Sequence, residues 1–186
     1  MSGSLTISVA PTSEPITAEE QMTWSRVTDA ADAALIERLI RAARQQCEFV
    51  TGRAFLTQTC VERFECFPCE FELARGPVQS VTSIQYFDTG NVERTLSSAY
   101  YMTDLYSTPA EIELAVGYSW PGTYSRPNAV TLTYVAGWQT TDDVPEGIKI
   151  AISLLVDFMF DNPTAGTGGP IPADVMSYLH PWVIYR

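Results

Sequence analysis

Between residues 35 and 50 the apolar side chains Leu35, Ile36, Leu39, Ile40, Ala43, Cys47 and Val50 recur three and four positions apart. Such spacing returns to one side of a 3.6-residue turn, which predicts a helix over 30–51 with a single buried face. Asp29 stands ahead of it as a cap, and Asp32 adds negative charge where the helix dipole favours it. Glu37 and Arg41, four apart, make a weakly supportive flank pair. Gly52 ends the run, because a C-terminal residue with positive φ is most often glycine. Further upstream, Thr17-Ala-Glu-Glu20 fits a capping box and opens a short helix over 17–26. Residues 1–16 show no helical period and read as an extended arm. Leu5, Ile7 and Val9 alternate within it, so it could add as a strand to a neighbour.

The period then changes to two. Cys60, Glu62, Phe64 and Cys66 share one strand face, and a second run covers Val78 to Phe87. Asp88-Thr-Gly-Asn91 has turn chemistry and the chain returns over Val92 to Leu96, which predicts a hairpin. Glu111 to Val116 alternates acid with apolar side chains, the mark of a sheet wet on one side. Ala129 to Val135 alternates Val130, Leu132 and Tyr134 with threonines, and Gly117 to Asn128 between them reads as loop.

A last helix over 145–161 opens at Asp143-Val-Pro-Glu146, proline being tolerated in a first turn. Its apolar residues nearly surround the axis, and Lys149, Ser153 and Asp157 form a polar stripe one residue wide. Two readings stand: the helix is central to the core, or the side carrying Ile150, Leu154 and Phe158 packs on another subunit. Residues 163–186 are a Gly/Pro loop, two helical turns, and an ending of Trp182, Val183, Ile184, Tyr185 and Arg186. Chain ends are normally wet, so this tail either folds back on its own domain or hooks into a partner. The fold class expected is α+β: a helical core of the long N-terminal helix and the late apolar helix, an inserted antiparallel β-rich region over 55–137, and extended terminal arms. Residues 17–162 form a single domain on this reading.

Charge narrows the partners. The net charge is −11, with ten arginines and the single Lys149 scattered along the chain. Tight nucleic-acid binding needs clustered cations that release counterions from phosphate, and no such cluster occurs. An acidic surface confers solubility and is also compatible with a channel that DNA traverses without sticking. No signal-peptide pattern and no apolar run of membrane-spanning length is present, which leads us to expect a soluble chain made in the cytoplasm.

Candidate chemistry adds little. Cys66-Phe-Pro-Cys69 lies between β-like segments rather than at a helix N-terminus, and Cys47 falls inside a helix far in sequence from Cys60, Cys66 and Cys69, so reduced thiols acting as small hydrophobes are expected. His180 is the sole histidine, which removes most Ser-His or Cys-His pairings. The carboxylate pairs Glu62/Glu65, Glu70/Glu72 and Glu111/Glu113 and the aromatics Tyr100, Tyr101, Tyr106, Tyr118, Trp120 and Tyr124 could serve a glycan. No constellation fulfils catalytic roles, so neither an enzyme, a cofactor nor a metal is expected.

Five phrases in order carry a resemblance: Asp32-Ala-Ala-Leu-Ile-Glu-Arg-Leu-Ile40, Val50-Thr-Gly-Arg-Ala54, Arg75-Gly-Pro-Val-Gln-Ser-Val-Thr-Ser-Ile84, Val130-Thr-Leu-Thr-Tyr-Val-Ala-Gly137 and Val144-Pro-Glu146. Together they resemble the head-tail adaptor (connector) proteins of long-tailed bacteriophages and gene transfer agents. The resemblance implies a structural virion protein assembled in the host cytoplasm. It implies a homo-oligomeric ring, a dodecamer, under the portal, joining the capsid vertex to the stopper or tail terminator and lining the DNA channel. It also implies that the C-terminal residues Trp182, Val183, Ile184, Tyr185 and Arg186 dock on the portal. The alternatives are a tail-completion or capsid-decoration protein and, more distantly, a carbohydrate-binding or hydrolytic module.

Overall fold

The computed structural model describes residues 3–162 and 171–185. It is a mixed α+β chain that divides into two compact units. One gathers residues 3–10 and 57–137; the other gathers 11–56, 138–162 and 171–185.

The first unit is built on strands. β1 (Ser4–Val9), β2 (Gln58–Phe64), β4 (Val78–Phe87), β5 (Glu93–Thr95) and β8 (Val130–Ala136) form an antiparallel sheet in the order β1-β2-β8-β4-β5. β3 (Phe71–Glu72), β6 (Tyr101–Asp104) and β7 (Glu111–Leu114) form a second, ordered β3-β7-β6. Alternation decides which side chains go inward. On β8, Val130, Leu132, Tyr134 and Ala136 are buried while the threonines between them are half-buried. Bulges break the β4–β8 register between Val78 and Ser80 and again between Val81 and Ser83. The hairpin after β4 turns on Asp88, whose Oδ1 accepts from the amides of Gly90 and Val92. Those amides and the Arg94 guanidinium hold the Asp88 carboxyl below its usual range.

Two expectations change here. The N-terminal arm is a strand, but its partner is β2 of the same chain, paired from Ser4↔Arg63 to Val9↔Thr59. Gly3 precedes it where a Cβ would stand 2.7 Å from the ring of Phe64, so any side chain there displaces that ring. Cys66 lies beyond the end of β2, whose buried face instead starts at Gln58.

The second unit is helical: α1 (Ala18–Ser25), α2 (Ala33–Thr51), α3 (Glu146–Asp161) and α4 (Ala173–Leu179). Ile36, Ile40, Ala43 and Cys47 of α2 meet Ile148, Ala151, Ile152 and Leu155 of α3 in one core with Val175 and Leu179 of α4. Burial pushes the Cys47 thiol up to about 12, so it is a packed hydrophobe rather than a nucleophile. The capping box is complete: Thr17 Oγ1 accepts from the Glu20 amide and Glu20 Oε2 accepts from the Thr17 amide. Asp29 caps a 3-10 turn over Ala30–Asp32 that leads into α2. Asp143 does not cap α3; its carboxylate accepts from the amide and hydroxyl of Thr140, and Pro145 holds the N-cap position. Arg41 reaches Glu14 at 3.8 Å rather than Glu37.

Buried charge in this unit is paired. Arg44 Nη1 donates to Glu48 at 2.7 Å and its Nε to Glu14 at 2.6 Å, while the other Glu48 oxygen accepts from the Phe55 amide. Burial pulls the Arg44 guanidinium down, but the two carboxylates outweigh it and the pKa is raised.

Candidate functional site

The predicted partner-contact tail divides. A 3-10 turn over His180–Trp182 follows α4 and brings Trp182 edge-on to Trp138, with ring centroids 6.2 Å apart. The Arg53 guanidinium lies over the Trp182 ring at 5.9 Å, and its Nε donates to the Trp182 carbonyl at 2.6 Å. Burial lowers the Arg53 pKa, and the ring face and carbonyl give its charge the contacts that water would have supplied. The Ile184 amide donates to the Thr51 carbonyl at 2.8 Å, satisfying a carbonyl that the end of α2 leaves open. Gly52 sits between at φ +69°, 3.5 Å from Ile184 Cβ at the position of an added Cβ. Trp182, Val183 and Ile184 are half-buried against their own unit. Tyr185 stays 71% exposed, with its hydroxyl 3.4 Å from His180 Nδ1. Arg186 lies outside the described residues.

The predicted packing residues Ile150, Leu154 and Phe158 lie on the side of α3 away from Ile148, Ile152 and Leu155. Ile150 and Leu154 are half-buried and Phe158 is exposed. α1 approaches the flank of this strip: Trp24 Nε1 and Gln21 Nε2 donate to the carboxylate of Asp157, and Ser25 does so by a short bond. Ile16, Trp24, Ile150 and Ser153 line a cleft there of about 310 Å³. α3 therefore has one side in the core, with Leu154 packed at its edge, and a narrow apolar strip on the other.

The residues that could have served a glycan are placed otherwise. Glu62 is 1% exposed, and one of its oxygens accepts from the Ala74 amide and from the Tyr134 hydroxyl, both at 2.6 Å. The Tyr134 hydroxyl also accepts from the Arg75 amide, and burial together with Glu62 raises its pKa. Glu65, Glu70, Glu72 and Glu113 are exposed. Glu72, Glu111 and Asp104 fall in one row across β3, β7 and β6, a like-charged line. Trp120 stacks on Phe67 at 5.0 Å and meets Phe71 edge-on, so its ring packs the sheet. Tyr100 and Tyr118 pack on each other at 4.7 Å, while Tyr106 is fully exposed on a turn that Asp104 ties to Tyr106 and Ser107. Cys66 and Cys69 border a shallow cleft with Phe67 and Glu70. Among the described residues no cluster of His, Cys, Asp or Glu suits a metal ion, and no helix is long and apolar enough to cross a membrane.

No protein-family model matches the chain, and no curated protein matches it. Solved structures do. A chain in the neck of an empty gene transfer agent particle, computed with C6 symmetry, aligns with TM-score 0.81 and 21% identity over 98% of this chain and 96% of that one. The fold is that of a gene transfer agent neck chain. Chains in the native gene transfer agent virion (TM-score 0.78) and in the native neck computed with C12 symmetry (0.73) align at 20% identity over the same shares. The neck-type fold thus takes in both units described above. Sequence reasoning missed Arg53 and Trp138 as the holders of the tail; Arg53 stood in a quoted phrase, but nothing local to it announced Trp182.

Proposed function

We propose that this chain is a structural neck subunit of a tailed-phage-like or gene transfer agent particle, a head-tail adaptor that closes into a ring beneath the portal. The observation that carries the reading is the likeness in fold to neck chains over 98% of the length. The C6 and C12 symmetries of those necks favour a ring, and a dodecamer fits both. The ring joins the portal to the stopper or tail terminator and lines the channel, where a net charge of −11 lets DNA slide past without adhering.

The portal is met by the end of the tail. Because Trp182 and Ile184 are held by Arg53 and Thr51, the free side chain is Tyr185, followed by Arg186. Electron micrographs of the purified chain mixed with portal-bearing heads test the function: an annulus at the vertex is expected, and heads that stay bare overturn it. Tyr185→Ser tests the docking point, with loss of attachment at an unchanged unfolding midpoint as the expected result.

A further inference from the structure

Besides its core side, α2 carries the apolar residues Leu35, Ala42 and Phe49 on a solvent-facing line. Opposite the core side, Leu35, Arg38, Ala42, Gln45 and Phe49 follow one another at alternating steps of three and four, the spacing of a helix–helix seam. All five face solvent, Leu35 at 46% and Phe49 at 79% exposure. A solitary domain gains nothing from holding a leucine and a phenylalanine in water along one line. Arg38, within the line, makes no ion pair among the described residues.

The α3 strip has matching dimensions and the opposite charge. Phe49 stands eleven positions after Arg38, and Asp161 eleven after Ile150. At 1.5 Å rise per residue both spans are about 16 Å. Asp161 is exposed and, like Arg38, has no ion-pair partner among the described residues.

We propose that the outer face of α2 in one copy packs antiparallel on the α3 strip of the next copy, and that this is the repeating contact of the ring. The inference rests on the neck-ring reading and deepens it by naming both halves of the contact. Antiparallel alignment sets Phe49 at Ile150, beside the cleft lined by Ile16 and Trp24. Arg38 then meets Asp161, Gln45 faces Leu154, and the small Ala42 faces the large Phe158. A small residue opposite a large one allows close approach of the helices, and the ion pair fixes direction more than it adds affinity. Two different faces meeting head to tail propagate around a ring, whereas α2 on α2 would stop at a dimer.

The test uses the full chain with Cys66 and Cys69 changed to Ser. One preparation carries Ala42→Cys and the other Phe158→Cys; mixed and oxidised, they are expected to give a disulfide-linked pair that neither gives alone. Phe49→Glu is expected to abolish the annulus without lowering the unfolding midpoint, since Phe49 lies outside the core. Arg38→Glu is expected to weaken ring formation, and adding Asp161→Arg to restore it. An annulus that persists in Phe49→Glu, or cross-links of Ala42→Cys with itself, overturns this contact while leaving the neck ring standing. A wild-type chain that forms no annulus with portal-bearing heads overturns the ring and this contact together.

Discussion

Each unit buries a glutamate, and the two accept from different kinds of donor. In the strand unit Glu62 accepts from two neutral donors, the Tyr134 hydroxyl and the Ala74 amide. In the helical unit Glu48, 3% exposed, is met by a full positive charge on Arg44 and by the Phe55 amide. A sheet places diagonal neighbours on adjacent strands within reach of a long side chain, and β2 and β8 bring Glu62 and Tyr134 together this way. A helix places i and i+4 side by side, so Arg44 and Glu48 meet on α2 itself and Glu14 closes the group. The lesson is that removing Arg44 takes a cation from a buried carboxylate, whereas removing the Tyr134 hydroxyl takes away one hydrogen bond.

That contrast gives the ranking of effects. Arg44→Met takes the Arg44 cation from buried Glu48 and is expected to cost about 3–5 kcal/mol by urea unfolding. A loss under about 1 kcal/mol would mean that water reaches Glu48 and that the contrast is false. Tyr134→Phe deprives Glu62 of one donor and the Arg75 amide of its acceptor, with an expected cost of about 1–3 kcal/mol.

Titration sharpens the same comparison. The folded state raises the Tyr134 pKa above the ordinary 10.0, so it holds the phenol's proton more tightly than the unfolded chain does. Its contribution to stability is complete below pH 10 and is lost as pH climbs from there towards the folded value. Wild type should therefore lose stability in alkali more steeply than Tyr134→Phe, as parallel urea melts above pH 10 would record.

Local devices have smaller effects. Thr17→Ala removes half of the capping box and should cost about 1 kcal/mol, read as a lower urea midpoint. Smallest is the acid response of its partner. Backbone and side-chain hydrogen bonds from Thr17 hold the Glu20 carboxyl below its ordinary 4.5. The stability it adds is present above pH 4.5 and is lost as pH falls through the lower folded value, and Thr17→Ala should flatten that slope.

The local elements were legible because their causes are local. Alternation marked β4 over Val78–Phe87 to the residue, Gly52 ended α2, and Thr17 with Glu20 opened α1. Asp143 misled, because a carboxylate three residues ahead of a helix competes between capping it and bonding its own turn, and Thr140 offered two donors. The candidate site was half legible. Apolar residues at the chain end pointed to burial, but whether they met their own chain or a partner turned on Arg53 and Trp138, 129 and 44 positions away in sequence.

Sequence by itself determined the periods, most caps and turns, the acidity, and the surplus of apolar side chains on the late helix. Tertiary structure alone decided the order β1-β2-β8-β4-β5, the meeting of Glu62 with Tyr134, and the seating of Trp182 under Arg53. The reason is physical: a residue's period fixes which face of its own element it occupies, while its partner is chosen by long-range closure that balances every buried polar group at once.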